Sequence, residues 1–263
     1  MRASVSPAGA LASVGEPSAS RDEASCFLLR EMGGRDVLHL GAACGERLTP
    51  ASTFKIPHAL AALDAGVLEG PGTLIPYDGA PRPFEAWRRD HTLATAMRAS
   101  VVWYFQEVAE RLGAGREQEY LNRFHYGNAD PTSGLTTFWL GGSLRVSPEE
   151  QLDFLSRLYA GTLPVAPRAL DVVKAILVQP RGSVVNALGE HPFAAPWSPD
   201  TVLSAKTGSA GNGDGREARW LVGHVRQSAR SWIFVSCVVG GADTAPMAAV
   251  DLAARELRHA GVM

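Results

Sequence analysis

The residues with the clearest potential for chemistry are a serine and a lysine three positions apart, Ser52 and Lys55. Apolar spacing from Ser52 to about Ala65 predicts a helix, so the two side chains would lie one turn apart on one face. The helix N-terminus would add free N–H groups and partial positive charge around Ser52. A serine hydroxyl becomes a good nucleophile beside a base, and a neutral lysine amine can be that base. By itself, however, this spacing is common by chance and usually leaves the lysine solvated.

Two further motifs strengthen the functional interpretation. Lys206-Thr207-Gly208 is predicted to end a strand, where Gly208 would let a ligand approach the backbone closely. Ser100-Val101-Val102 lies at the head of another predicted helix. An S-x-x-K pair, a downstream serine motif and a late K-T-G are the signature of serine β-lactamases and penicillin-binding proteins.

The elements that must position these motifs follow from hydrophobic periodicity. A hairpin is predicted around Gly33-Gly34, with strands at 26–32 and 36–40. Helical spacing predicts helices over 52–65, 100–113, 147–160 and 168–178. Strand-like patterns follow at 201–206, 219–226 and 231–239, before a C-terminal helix that starts near 244. Strands at both ends with helices between them predict one antiparallel sheet beside a helical lobe.

Composition excludes several other function classes. Hydrophobic residues make up 46% and charged residues 20% of the 263 residues, as expected for a folded globular protein. The net charge of −2, with no run of Lys or Arg, leaves no electrostatic footprint for nucleic acid or an anionic membrane surface. The sequence has no run of 18 consecutive apolar residues, so no membrane span is predicted. The spacing of Cys and His residues predicts no metal site. Residues 1–24 are expected to be a flexible leader or the remnant of a targeting segment.

Five motifs together resemble the class D, or oxacillinase-type, serine β-lactamases. Pro50 to Pro57, followed by Leu63-Asp64-Ala65-Gly66, looks like the active-site helix of that family. The other four segments resemble its Ser-x-Val motif, its Tyr-Gly-Asn motif, its omega-loop segment and its third motif: Ser100-Val101-Val102, Tyr126-Gly127-Asn128, Phe138-Trp139-Leu140 and Lys206-Thr207-Gly208. The match runs in the family's order from about residue 25 to 263.

The resemblance implies the α/β (α+β) fold of serine β-lactamases and penicillin-binding proteins, with an antiparallel sheet from both termini and an all-helical lobe. We expect a single catalytic domain over 25–263. Its sheet lobe would comprise about 25–51 and 200–263, and its helical lobe about 52–199. The reacting residues would converge at the junction of the two lobes.

The resemblance also implies a mechanism. In that family the lysine of the first motif, here Lys55, carries carbon dioxide as a carbamate that is the general base for acylation and deacylation. Ser52 would attack the lactam carbonyl, and Ser100 with Lys206 would pass a proton to the leaving nitrogen. Carbamylation needs a neutral amine, which burial among apolar groups favours. The indole N–H of Trp139 is a hydrogen-bond donor only, and it would donate to a carbamate oxygen.

Substrate-binding positions follow from the same motifs. The backbone N–H groups of Ser52 and Ser209 would form the oxyanion hole. The other residues expected to line the substrate site are Val102, Tyr126, Trp139, Leu140, Thr207 and Gly208. Neither a metal nor an organic cofactor is expected.

One segment departs from the family pattern. The family usually has an apolar-Pro-apolar-Arg segment after the last strand, and its arginine binds the substrate carboxylate. The corresponding stretch here, Ala245-Pro246-Met247-Ala248, has no arginine, and the loss of a charge-assisted contact would weaken substrate binding. Either the third motif holds the carboxylate alone, or another arginine, such as Arg216 or Arg219, compensates.

The resemblance therefore implies a class D-type β-lactamase that acts on β-lactams in the periplasm or outside the cell. Three alternatives stay open: a β-lactam-sensing receptor domain that is acylated without turnover, a penicillin-binding transpeptidase, and a weakly active homologue that lacks the carboxylate-binding arginine. A smaller question concerns Cys26 and Cys44, which would face each other across the predicted hairpin. They form either a disulfide or two unlinked thiols.

Overall fold

Strands at both ends of the chain enclose a largely helical middle in this computed structural model, which describes residues 24–263. The strands are β1 (Ala24–Glu31), β2 (Asp36–Leu40), β3 (Leu74–Ile75), β4 (His91–Thr92), β5 (Ser183–Asn186), β6 (Gly189–Pro192), β7 (Val202–Gly211), β8 (Glu217–Gln227) and β9 (Arg230–Gly240). The α-helices are α1 (Lys55–Asp64), α2 (Leu93–Arg98), α3 (Val102–Leu112), α4 (Ala114–Phe124), α5 (Pro148–Ala160), α6 (Pro167–Ile176) and α7 (Ala248–His259). Short 3-10 helices span Ala51–Phe54 and Glu85–Trp87.

Five strands form one antiparallel sheet in the order β2-β1-β9-β8-β7. Because β9 pairs with both β1 and β8, the N-terminal hairpin is hydrogen-bonded to the C-terminal strands. The predicted mixed fold, with an antiparallel sheet built from both termini, is confirmed. β7 forms one edge of the sheet, and it carries the Lys-Thr-Gly motif.

The sheet separates two hydrophobic clusters, and the strand period of two assigns side chains to each. On β1, Leu28 packs into the cluster formed with the helices of the chain's middle. Its neighbours Phe27 and Leu29 point the other way, into the cluster that includes Leu257 of α7. Because both faces are covered, a one-residue slip of β1 would exchange buried contacts on both sides, so the register is strongly specified.

Local sequence signals set several helix ends. Ser147 caps α5: its hydroxyl accepts from the Glu150 N–H, and the Glu150 carboxylate accepts from the Ser147 N–H. This capping box, with Pro148 in the first turn, confirms the helix predicted over 147–160. The elements that were not predicted are α2, α4, the 3-10 helix Glu85–Trp87, the two-stranded sheet of β3 and β4, and the separate hairpin of β5 and β6. β7 also continues to Gly211, so the prediction that a strand ends at the Lys-Thr-Gly motif is wrong.

A disulfide joins Cys26 and Cys44, whose Cα atoms are 5.0 Å apart. Of the two alternatives left open by the sequence, the structure has the disulfide, but its geometry differs from a bridge across two strands. β2 ends at Leu40, which pairs with Phe27, so Cys44 reaches Cys26 from the turn after β2. On the other side, Cys26 is in register with Cys237 of β9, a buried free thiol.

The predicted leader, 1–24, lies outside the described residues except for Ala24, the first residue of β1. Between residues 24 and 263, no helix combines the length and the apolar character needed to cross a membrane.

We predict that replacing Cys26 and Cys44 with alanine lowers the free energy of unfolding by about 3 kcal/mol, because the cross-link closes a loop with a sequence separation of 18. Denaturant unfolding of the wild type and of Cys26→Ala/Cys44→Ala, each with and without reductant, measures this. Reductant should destabilise the wild type and leave the variant unchanged. Equal stability of the two oxidised proteins would contradict the prediction.

Candidate active site

The first pair of reactive side chains is Ser52 and Lys55. Ser52 lies in the 3-10 helix Ala51–Phe54, which runs directly into α1, and Lys55 is the first residue of α1. The Lys55 Nζ atom is 2.8 Å from Ser52 Oγ. Lys55 is fully buried, and this burial, together with the charge of Lys206, places its pKa well below the usual value. A deprotonated Lys55 is therefore available as a base beside the serine.

The second pair is Ser100 and Lys206, which is organised in the same way. Lys206 Nζ, on β7, donates to Ser100 Oγ at 2.8 Å and to the Thr207 carbonyl oxygen at 3.0 Å. Burial lowers the pKa of Lys206 to about 7, so it can hold or release a proton near neutral pH. Ser100 adopts a left-handed backbone conformation, φ 55°, which costs about 1–2 kcal/mol in a non-glycine residue. This strained turn directs Ser100 toward the lysine just before α3 begins.

Ser52 and Ser100 open into one cavity of about 290 Å³. Five other residues predicted for the substrate site also line it: Val102, Leu140, Thr207, Gly208 and Ser209. Six lining residues were not assigned to the substrate site from the sequence: Phe84, Trp87, Asn186, Ala187, Leu188 and Pro246. Lys55 and Lys206 lie behind this surface, each reaching it through its serine. A larger cavity, about 530 Å³, lies near Leu63 and Arg168, and its lining contains no nucleophile.

Tyr126 does not line the cavity, contrary to the prediction. It is fully buried behind the 3-10 helix, where its ring packs on Phe54 and its hydroxyl donates to Gln151 Oε1. The amide of Gln151 in turn donates to Thr53 Oγ1 at 2.7 Å, one residue after Ser52. Burial raises the pKa of Tyr126 above its usual value, so its hydroxyl stays protonated as a donor. Tyr126 supports the helix that carries the serine.

Trp139 is also absent from the cavity wall and is fully buried. Its ring stacks on Phe54, with the ring centroids 5.5 Å apart, and Phe105 lies 5.4 Å from Lys55 Nζ. Within residues 24–263, the indole Nε1 of Trp139 has no hydrogen-bond acceptor. A buried donor without a partner costs about 1–3 kcal/mol, so this position is chemically suited to a small group with an acceptor oxygen.

The edge position of β7 makes its outward N–H groups available to the cavity. The Ala205 N–H points away from β8, since it donates to the Leu177 carbonyl oxygen. N–H directions alternate along an antiparallel strand, and the β7–β8 register is continuous through this stretch. The N–H of Ser209, four residues further, therefore also points away from β8 and toward the open edge. This orientation agrees with the expected oxyanion-hole donor.

Gly208 allows β7 to approach the 3-10 helix closely. A Cβ atom at this position would lie 3.0 Å from the Thr53 methyl group and 3.1 Å from the Pro50 carbonyl oxygen. The Trp220 ring would also be 3.1 Å away. The absence of a side chain at Gly208 therefore sets the spacing between Ser52 and the third motif.

Thr49 connects three parts of the site and was not identified from the sequence. Its hydroxyl donates to the Trp139 carbonyl oxygen and accepts from the Gly141 N–H. Its own N–H donates to Asn212 Oδ1, and its carbonyl oxygen accepts from Trp220 Nε1. A threonine without a motif gives no signal in one sequence, because all four contacts come from distant segments.

Of the two arginines considered as substitutes, only Arg219 lines the cavity. Arg219 is 8% exposed; its Nη1 donates to Glu217 Oε2 at 2.7 Å, and its Nε has no acceptor in the described region. Arg216 instead forms ion pairs with Glu46 and Asp214. Pro246, from the segment that lacks the family arginine, lines the same cavity as Arg219.

Comparison with known proteins identifies the family of this chain. Residues 8–257 match the family model described as the penicillin binding protein transpeptidase domain, which defines the class of protein. Beta-lactamase OXA-48 from Klebsiella pneumoniae is 38% identical over 185 residues, which cover 70% of this chain and 63% of OXA-48. The probable beta-lactamase YbxI from Bacillus subtilis (strain 168) is 34% identical over 207 residues, covering 79% of this chain and 71% of that protein.

Solved structures of class D beta-lactamases share the fold of this chain. The class D beta-lactamase BAT-2 superposes with a TM-score of 0.77 at 31% identity, covering 92% of this chain and 93% of that one. The class D beta-lactamase YbXI from Nostoc superposes with a TM-score of 0.78 at 28% identity, covering 91% of this chain and 94% of that one. The chain belongs to the class D β-lactamase family. It spans slightly less than two thirds of OXA-48.

We predict that Gly208→Ala lowers the free energy of unfolding by about 1–3 kcal/mol, because the added methyl group has no room beside Thr53 and Pro50. Gly211→Ala on the same strand is the matched control, since its Cβ would meet Glu217 Oε1 at an ordinary 3.8 Å. Denaturant unfolding of both variants measures the difference. Equal stability would show that the close approach at Gly208 does not constrain the site.

Proposed function

We propose that the protein hydrolyses β-lactams through an acyl-enzyme on Ser52. The observation that carries this proposal is the pair of short contacts beneath one cavity, Lys55 Nζ to Ser52 Oγ and Lys206 Nζ to Ser100 Oγ, each 2.8 Å. One lysine has a pKa well below its usual value and the other about 7. The site therefore holds two proton-transfer groups, one beside each serine.

The atoms of the reaction follow from this arrangement. Ser52 Oγ forms a bond to the lactam carbonyl carbon while its proton moves to the base at Lys55. The carbon–nitrogen bond of the ring then breaks, and Ser100, supplied by Lys206, delivers a proton to the leaving nitrogen. The N–H groups of Ser52 and Ser209 stabilise the oxyanion, a contribution of about 3 kcal/mol per donor in other hydrolases. The proton held at Lys55 passes to solvent, and Lys206 regains one from solvent, which resets both groups. Lys55 then takes a proton from water while the water oxygen bonds to the ester carbon, and this proton goes to Ser52 Oγ as its bond to that carbon breaks.

The environment of Lys55 also suits carbamylation of its amine by carbon dioxide. Carbamylation requires an uncharged amine, and the burial of Lys55 favours that form. Trp139 stacks on Phe54, the residue before Lys55, and its unpartnered indole N–H would hold a carbamate oxygen. When bound, the group supplies an oxygen base for both acylation and deacylation.

We predict that hydrolysis of a chromogenic cephalosporin is stimulated by bicarbonate and abolished in Ser52→Ala and Lys55→Ala. In Trp139→Phe, the bicarbonate concentration for half-maximal activity should rise about 10–100-fold, the equivalent of one hydrogen bond to a charged group. Trp197→Phe is the control, because Trp197 donates instead to the Phe193 carbonyl oxygen.

Mass spectrometry of the reaction mixture separates hydrolysis from sensing. A single burst that ends in a persistent adduct on Ser52 would refute the hydrolase and favour a receptor domain. Turnover that is independent of bicarbonate would refute the carbamate on Lys55 but not the hydrolysis itself.

We further propose that Arg219 anchors the substrate carboxylate. Arg219 lies opposite Ser209 in the β7–β8 register, so its side chain leaves the sheet on the same face as those of Thr207 and Ser209. All three residues line the cavity, and the Nε edge of Arg219 is free of protein acceptors in the described residues. A guanidinium binds a carboxylate through two parallel hydrogen bonds, which compensates for the family arginine that is missing here.

Substitution of Arg219 tests the anchor. Arg219→Ala should raise KM for a free-acid cephalosporin about 10–100-fold and leave KM for its methyl ester nearly unchanged. Arg216→Ala is the matched control, because Arg216 is held by Glu46 and Asp214 outside the cavity lining. The idea fails if Arg219→Ala changes the acid and the ester equally.

The family and the cell-wall target of β-lactams support a periplasmic or secreted location, which we propose for this protein.

A further inference from the structure

A histidine and a glutamate face each other in the protein interior, and no catalytic step above uses them. His58 Nε2, on α1, lies 2.7 Å from Glu117 Oε1, on α4. The side chain of His58 has no exposed surface, and that of Glu117 is 2% exposed. A glutamate is almost never buried to this extent without a partner, because removing a charge from water is costly. The two residues are therefore a buried pair that must share a proton or carry opposite charges.

His58 lies one helical turn from the reactive lysine. It follows Lys55 by three positions on α1, so the two side chains are neighbours on one face of the helix. Their common neighbour is Phe105, whose ring centroid is 5.4 Å from Lys55 Nζ and 5.8 Å from the centroid of the His58 ring. The centroid of the Trp139 ring lies 5.6 Å from that of His58. A charge on His58 would therefore act on Lys55 through apolar surroundings, where it is screened far less than in water.

Two nitrogen atoms of these rings are free to serve an anion. In the described part of the chain, His58 Nδ1 has no hydrogen-bond partner, and neither has Trp139 Nε1. A protonated imidazole is a donor at both ring nitrogens, so contact of one nitrogen with Glu117 leaves the other available. Buried donors without acceptors are costly, and a group with acceptor oxygens would relieve that cost.

The distribution of charge within the pair decides its effect on Lys55. An ionised Glu117 with a protonated His58 has no net charge, but its positive end is on α1 and its negative end is on α4. Positive charge one turn from Lys55 disfavours an ammonium there and favours an anion. A buried imidazolium without a counter-ion would give up its proton, so Glu117 is needed to keep the charge on His58.

We propose that His58 is a positioning residue for the base, held protonated by Glu117, and that its charge stabilises the carbamylated form of Lys55. This inference rests on the carbamate of the proposed function. In carbamylation, the Lys55 nitrogen bonds to the carbon of carbon dioxide and releases a proton to solvent, so a neutral side chain becomes an anion. His58 supplies positive charge for that anion and takes no part in proton transfer to or from the substrate.

Carbon-13 NMR with labelled bicarbonate tests this directly, because the carbamate carbon gives its own signal and Lys55→Ala identifies it by its loss. The bicarbonate concentration that gives half of the maximal signal should rise about tenfold in Glu117→Gln, which keeps an acceptor for His58 but removes the charge. The double variant His58→Leu/Glu117→Met should show the same rise. It should unfold at no lower denaturant concentration than the wild type, because replacing both partners of a buried pair by apolar groups of similar volume is neutral or stabilising.

Tyr120→Phe is the matched control. Tyr120, also on α4, donates to Asp64 Oδ2 at the end of α1, so it connects the same two helices through a different contact. The bicarbonate dependence of the carbamate signal should not change in this variant. An equal rise in Tyr120→Phe would show that the pair only holds the helices together. No rise in Glu117→Gln would overturn the proposal.

Nitrogen-15 NMR of the His58 ring gives a second readout. The wild type should show the imidazolium form at neutral pH, and Glu117→Gln the neutral form. A neutral His58 in the wild type would refute the proposal. Neither measurement needs a β-lactam, so failure of the protein to hydrolyse one would refute the proposed function without deciding the role of the pair. Conversely, a wild type that gives no carbamate signal would refute this inference even if it is an active hydrolase.

Discussion

The uncharged state of one buried lysine is the constraint on which the rest of the site depends. Lys55 has almost no access to water, and its Nζ atom is hydrogen-bonded to the Ser52 hydroxyl. Burial of a lone ammonium is costly, so the amine gives up its proton rather than its position. The ring of Phe105, with its centroid 5.4 Å from Lys55 Nζ, is part of the apolar surroundings that favour the uncharged form. A more hydrated Lys55 would be charged and could not act as a base.

The second buried lysine makes the first more effective. Positive charge on Lys206 disfavours positive charge on Lys55, and burial lowers the pKa of Lys206 itself to about 7. The two amines therefore divide the work between a base and a proton carrier. Their positions depend on the contact between an edge strand and a short 3-10 helix, a close approach that the missing side chain of Gly208 allows. The sheet thus controls the chemistry of a residue that belongs to the helical side.

Sequence reasoning succeeded where the determining interactions are local. The capping box at Ser147 and the apolar stripe after Ser52 lie within a few residues of the structure they specify. It failed where distant segments decide the outcome. β7 continues beyond Gly208 because β8 pairs with it. Tyr126 lies away from the cavity, where its hydroxyl donates to Gln151 Oε1. The hairpin tip at Leu188 carries no motif, so its place in the cavity wall is visible only in the structure.

The position of Cys26 between two possible thiol partners has a consequence for how the protein matures. Cys237 is its cross-strand neighbour in β9, and such neighbours lie within disulfide range. In the unfolded chain, however, Cys44 is only 18 residues away, while Cys237 is more than ten times as distant in sequence. Closing the longer loop costs about 2 kcal/mol more entropy. If Cys26 is oxidised before β1 pairs with β9, the shorter loop favours the native bridge to Cys44. If it is oxidised after that pairing, Cys237 competes with Cys44.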